Sequence, residues 1–149
     1  MLPKYHILFG FFFIAVLFFF FPQISLIGLV IIFLSSILID VDHVFYYFLK
    51  KGNLVPLNAY NWYMKRRMQF NLLSREQKKK IYSGFYIFHG IELLIILFLL
   101  GNYFYNVFFF IFLGFSFHFI IDLFHEIYEK GTVDKISLIW NYYRWRKLN

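Results

Sequence analysis

Long blocks of apolar residues constrain this chain more than anything else in it. Residues 5–21, 24–49, 81–100 and 103–125 are each long and apolar enough to be read as a helix crossing a bilayer. Hydrophobic residues make up 61% of the chain and charged residues 15%, far from the balance of a soluble domain. The expected architecture is all-α: a polytopic membrane protein with four transmembrane helices in two hairpins. Its 149 residues suit one membrane domain, 1–149. No small-x-small cleavage pattern follows Phe21, so the first block is expected to stay as an uncleaved span. The 24 phenylalanines are read as lipid-facing or packing residues.

The separators have distinct characters. Pro22-Gln23 and Gly101-Asn102 read as tight turns. Residues 53–80 mix Tyr60, Trp62, Tyr63 and Phe70 with Lys65, Arg66, Arg67 and Arg75, the pattern of an amphipathic segment lying at the membrane interface. Ser74-Arg75-Glu76-Gln77 reads as a capping box, and the helix it starts is expected to continue into the third span. The tail, 126–149, carries Trp140, Tyr142, Tyr143 and Trp145 and is also expected at the interface.

The basic residues supply an orientation. Of the 15 Lys and Arg, Lys4 precedes the first span, nine lie between Lys50 and Lys80, and five lie between Lys130 and Lys147. The two short turns hold none. Four crossings with both termini cytoplasmic put every basic residue on the inner side, as the positive-inside rule expects. The protein is therefore expected in the cytoplasmic (inner) membrane. The same topology explains the net charge of +7, so no nucleic-acid partner is expected. Membrane lipids are the expected surroundings, and basic segments can attract anionic lipid. There is no cysteine, which excludes disulfides, thiolate ligands and a cysteine nucleophile.

Within this topology the polar residues converge on one depth. Asp40 lies about 24 Å and His118 about 22 Å along their helices from the outer ends, at 1.5 Å per residue. His6 starts the first span from the inside. All five histidines, His6, His43, His89, His118 and His125, fall in the cytoplasmic half, with Asp40, Asp42, Asp122 and Glu92. An ionisable group costs about 2.5–3.5 kcal/mol at a membrane centre on insertion scales, so such a group is functional by default. Histidine with carboxylate is a ligand set for a divalent transition metal: zinc is the expected ion, manganese and non-haem iron are also suited, and one ion or two can be served. His118 and Asp122 are one helical turn apart, and His89 and Glu92 form a second pair on one face of the third span. Asp40 and His43 share a helix face, whereas Asp42 points elsewhere unless the helix loosens. The blander readings are that Glu76, Glu126, Glu129 and Asp134 are solvated and that Ser35, Ser36 and Ser116 serve helix packing.

Asp40-Val41-Asp42-His43 together with His118-Phe-Ile-Ile-Asp122 resembles the YdjM-like family of LexA-regulated inner-membrane metal-dependent hydrolases. The family pattern has an early histidine, an Asp-x-Asp-His, a mid-chain histidine and a late His-x-x-x-Asp, matched here by His6, Asp40/Asp42/His43, His89 and His118/Asp122. The chain departs from it at Ile39, where proline is common, and at Phe88-His89-Gly90-Ile91-Glu92, where the family motif is richer. The resemblance implies metal-dependent hydrolysis, and a small-molecule, phosphoester or lipid-like substrate fits a site in a membrane. The expected ligands are Asp40, Asp42, His43, His89, His118 and Asp122, with His6 and His125 as ligands or supports. Glu92 and His89 are the residues expected to act on substrate, Glu92 as general base. A metal or proton transporter and a scaffold with a structural metal are the alternatives; a haem protein fits less well, because haem iron does not take carboxylates.

Overall fold

The computed structural model describes residues 3–82 and 84–148. The outer limits of the single-domain reading, residues 1, 2 and 149, lie outside the described residues, as does residue 83 in the third block. The described residues form α-helices and no strand: α1 Pro3–Phe20, α2 Leu26–Leu38, α3 Val41–Lys51, α4 Pro56–Asn71, α5 Arg75–Lys79, α6 Ile91–Tyr103, α7 Asn106–Lys130 and α8 Leu138–Leu148. Three stretches are long and apolar enough to cross a membrane, namely Pro3–Phe20, Leu26–Lys51 and Asn106–Lys130. That fits an integral membrane protein.

Local signals explain most boundaries. The chain turns at Pro22-Gln23, and the Ser25 hydroxyl then caps α2 by accepting the Gly28 N–H at 3.1 Å. Gly52, at φ +66°, ends α3 and donates to the Phe48 carbonyl at 2.7 Å. The capping box is present at Ser74 and Gln77.

Three expectations need correction. The second block is not one helix: it breaks at Ile39-Asp40, between α2 and α3. The helix begun at Ser74 does not continue into the third block; α5 stops at Lys79 and α6 starts only at Ile91. Between them two backbone groups are met by side chains. The Phe88 N–H donates to Asp42 Oδ2 at 3.2 Å, Lys130 Nζ donates to the Ile81 carbonyl at 3.4 Å, and Gly84 takes φ +143°. The 13 residues of α6 reach about 20 Å, short of the roughly 30 Å hydrocarbon core. Finally, Gly101-Asn102 is not a turn. Asn102 bonds back to the Phe98 carbonyl at 2.7 Å inside α6, and the chain reverses at Phe104-Tyr105.

The chain divides into two compact units: the residues up to Ile39 with Ile91–Asp122, and Asp40–Gly90 with the residues from Leu123 onward. In the first, α1 packs on α2 around Leu17, Leu29 and Ile32, with Phe13, Ile14, Ile24, Phe110 and Leu113 against them. Much of the outward face of α1 is exposed phenylalanine (Phe11, Phe12, Phe18, Phe19, Phe20), a surface suited to lipid.

In the second unit α3 packs on α4. Asp134, read from sequence as solvated, is fully buried there. Its carboxylate takes Lys130 at 2.6 Å and Arg144 at 2.9 Å, and its N–H donates to Glu126 at 3.0 Å. Arg144 also reaches the Lys79 carbonyl at 3.0 Å, so α8 is tied to the end of α5. A buried carboxylate requires such cationic partners. Glu129 is not simply solvated either, since it lies 3.4 Å from Arg67 and 3.4 Å from His125.

Candidate metal centre

In the first unit, two glycines build the site. A Cβ on Gly114 would lie 2.4 Å from the Ile32 carbonyl and 2.8 Å from Ser35 Cβ, so only glycine lets α7 approach the backbone of α2 this closely. One turn on, His118 Nδ1 donates to the Ser36 carbonyl at 2.7 Å. That carbonyl is among the last four of α2, which a helix leaves without an N–H of its own. Gly10 plays the same part on α1: a Cβ there would meet Ser36 Oγ at 2.9 Å. One turn before it, His6 stacks on the His118 ring, with centroids 4.0 Å apart and planes at 12°. Phe13 and Phe117 stack at 4.1 Å in the same unit.

Asp122 meets both rings. Its Oδ1 is 3.4 Å from His6 Nε2 and its Oδ2 is 3.7 Å from His118 Nε2. A carbonyl can only accept, so the Ser36 bond fixes the proton of His118 on Nδ1 and turns Nε2 to the carboxylate as an acceptor. Ligand atoms of His6, His118 and Asp122 lie within 4.8 Å of one another. Metal–ligand bonds of about 2.0–2.2 Å at a tetrahedral angle put neighbouring ligand atoms about 3.3–3.5 Å apart. The two separations between Asp122 and the histidine nitrogens lie within a few tenths of an ångström of that.

The second unit repeats the device. His89 Nδ1 pairs with Asp42 Oδ2 at 2.9 Å, which leaves its Nε2 3.6 Å from Asp40 Oδ1. His43 Nδ1 lies 2.9 Å from Asp42 Oδ1 and 3.5 Å from Asp40 Oδ1. Asp40, His43 and His89 also offer ligand atoms within 4.8 Å of one another. Around them the His43 ring stacks on Tyr86 at 4.2 Å, and the Tyr63 hydroxyl donates to the His43 carbonyl at 3.1 Å. Burial, with the nearby Tyr86 phenol adding to it, pushes the Tyr63 phenol well above its usual value, so it remains a donor.

Each residue singled out in the sequence now has a place. His6, His118 and Asp122 converge in the first unit, and Asp40, Asp42, His43 and His89 in the second. Asp42 joins the set because the helix does loosen at Ile39-Asp40. His125 faces Glu129 at 3.4 Å and belongs to neither set of ligand atoms. Glu92 is half-buried in the first turn of α6 in the first unit. The helical pairing expected of His89 and Glu92 does not hold, because His89 precedes that helix. Sequence reasoning missed the Ser36 carbonyl and Lys135, whose Nζ is 3.5 Å from His43 Nε2. Gly114 four residues before His118, and Gly10 four after His6, were the available signal for the first. Nothing in the sequence signals the second.

No protein-family model, curated protein or solved structure significantly matches this chain. The site therefore stands on its own geometry. A buried His/Asp group of this kind can hold a metal ion.

Proposed function

We propose that this chain is a membrane-embedded metal-dependent hydrolase, a member of the YdjM-like family, acting on a phosphoester or lipid-like substrate. The observation that carries the reading is the repeated arrangement at His118 and His89. In each, Nδ1 is tied to an oxygen and Nε2 is turned to a carboxylate 3.6–3.7 Å away. Metal-binding histidines are oriented in this way by a carbonyl or carboxylate behind them. The nine histidine and carboxylate groups of the set are more than one closed four-ligand zinc site uses, which favours catalysis over a structural role.

A divalent ion held in such a set polarises the scissile group and brings the pKa of a water towards about 7. The chain's own residues do the rest. Asp40, His43, His89, His6, His118 and Asp122 hold and orient; His125 serves as a support. Glu92, in the unit of His6, His118 and Asp122, takes the proton as general base. The ion is zinc, one or two per chain.

In the same reading the chain crosses the inner membrane four times with both termini cytoplasmic, α6 being the short crossing. The irregular stretch before α6 is compatible with membrane depth because its Ile81 carbonyl and Phe88 N–H are satisfied by side chains.

The test is metal analysis joined to an activity assay. Protein purified in mild detergent is expected to retain zinc and to hydrolyse a chromogenic phosphoester or lipid substrate. His118→Ala should lose most of the metal at its set, Glu129→Ala none. Glu92→Gln should keep metal and lose turnover. Absence of metal from every preparation, reconstituted ones included, sinks the reading. So does bound metal with no hydrolysis across a broad substrate panel.

A further inference from the structure

One face of α3 borders a groove that the metal sets do not use. Asp42, Phe45, Tyr46, Leu49 and Lys50 recur at i, i+3, i+4, i+7 and i+8, which places them on one side of the helix. Together with Phe85 and Ile87, from the irregular segment before α6, they line a cavity of about 260 Å³. All of these residues belong to the second unit. The two walls are fastened to each other at one end. Asp42 Oδ2 accepts the Phe88 N–H at 3.2 Å and pairs with His89 Nδ1 at 2.9 Å, so the segment that presents Phe85 and Ile87 is held against α3.

The groove is polar at its ends and apolar between them. At one end the Asp42 carboxylate is committed to His43, His89 and the Phe88 N–H. At the other, Lys50 is exposed in the last turn of α3, its Nζ 5.9 Å from the centre of the Tyr46 ring. The helix rises about 12 Å from Asp42 to Lys50. Between them Phe45, Leu49, Phe85 and Ile87 are all exposed. Leu26–Lys51 is long and apolar enough to cross a membrane, and Lys50 stands at its end, where a lysine reaches the headgroup layer. Cation at the end of the span and apolar side chains deeper is the complement of a phospholipid, whose phosphate precedes its acyl chain in the same order. A small water-soluble anion would satisfy Lys50 and leave the apolar walls unmatched. A lipid without net charge would match the walls and gain less from the ammonium than an anionic one, for which the bond to phosphate oxygen is charge-assisted.

We propose that the groove along α3 binds one anionic phospholipid, with an acyl chain against Phe45, Leu49, Phe85 and Ile87 and the phosphate on Lys50. This goes beyond the hydrolase reading and needs no metal.

The experiment is native mass spectrometry of the full-length protein in mild detergent, titrated with phosphatidylglycerol and with phosphatidylcholine of the same acyl chains. Wild type is expected to hold one phosphatidylglycerol about fivefold more tightly than phosphatidylcholine, the size of one lysine near an anionic surface. Lys50→Gln should bring phosphatidylglycerol down to the level of phosphatidylcholine and leave phosphatidylcholine unchanged. Phe85→Ala should weaken both lipids by the same factor, because it removes a wall and no charge. Lys147→Gln should match wild type. If Phe85→Ala fails to fold, Leu49→Ala, at a side chain 65% exposed, must show the same parallel loss. Equal retention of the two lipids by wild type means an unselective lipid coat and overturns the proposal. So does a folded Lys50→Gln that keeps the preference, or a folded Phe85→Ala or Leu49→Ala that retains both lipids as wild type does. Zinc measured in the same preparations reports on the hydrolase reading alone: lipid held without zinc fails that reading, and zinc held without lipid fails this one.

Discussion

One carboxylate, Asp42, holds two histidines. Oδ1 faces His43 Nδ1, while Oδ2 faces His89 Nδ1 and also accepts the Phe88 N–H. Only an ionised carboxylate offers enough acceptor sites for all three. An amide offers a single accepting oxygen and presents an NH₂ to the other side, so Asp42→Asn must release one ring or repel it. Second-layer partners of this kind are worth about 10–100-fold in metal affinity. The expected outcome is a loss of that size in zinc affinity at the Asp40/His43/His89 set. Chelator competition in a His118→Ala background isolates that set. Unchanged affinity would mean that Asp42 packs the segment around Phe88 and does not orient ligands.

At the scale of elements, the site depends on how closely helices approach and on where they stop. Gly114 lets α7 touch the backbone of α2, and the end of α2 supplies the Ser36 carbonyl to His118. Gly114→Ala forces a Cβ to within 2.4 Å of a carbonyl oxygen that cannot swing aside. Overpacking of this sort costs about 1–3 kcal/mol, and the relief, a shift of α7 away from α2, lengthens the His118–Ser36 bond. Gly52 is the control. It has open space around it but sits at φ +66°, so Gly52→Ala costs roughly 1–2 kcal/mol of backbone strain. Thermal unfolding in detergent should show both variants destabilised. Zinc content should fall only in Gly114→Ala. Equal zinc in both would separate the close approach from metal binding.

Across the whole molecule, basic residues are absent from the turns at Pro22-Gln23 and Phe104-Tyr105 and crowd the stretches 50–80 and 130–147. Since the chain has no cysteine, single cysteines report without background. In intact cells a cysteine at position 23 or 104 is expected to react with an impermeant thiol reagent, and one at 53 or 140 to react only after the membrane is opened. Reaction at 53 from outside would reverse the orientation. Opposite sides for 53 and 140 would mean three crossings, with α6 not traversing the bilayer.

That the chain is helical, with stretches long and apolar enough to cross a membrane, was legible in its sequence because length and hydropathy of a block decide it without reference to any other block. That His6, Asp40, His43, His89, His118 and Asp122 are candidate ligands was legible for a similar reason, since a buried ionisable group in an apolar run is costly wherever the run ends up; that His125 would join neither group of ligand atoms was not. Pairing and helix limits were not legible, since both depend on partners far along the chain. Asp42 meets His89 across 47 positions and Lys135 meets His43 across 92. The third block contains enough apolar residues for a span, yet residues 80–82 and 84–90 are not helical, and there Asp42 takes the Phe88 N–H and Lys130 the Ile81 carbonyl. Asp134 looked like any polar tail residue until Lys130 and Arg144 closed over it. Local periodicity carries no information about which distant side chain will neutralise a charge or take a backbone hydrogen bond; only the tertiary structure decides that.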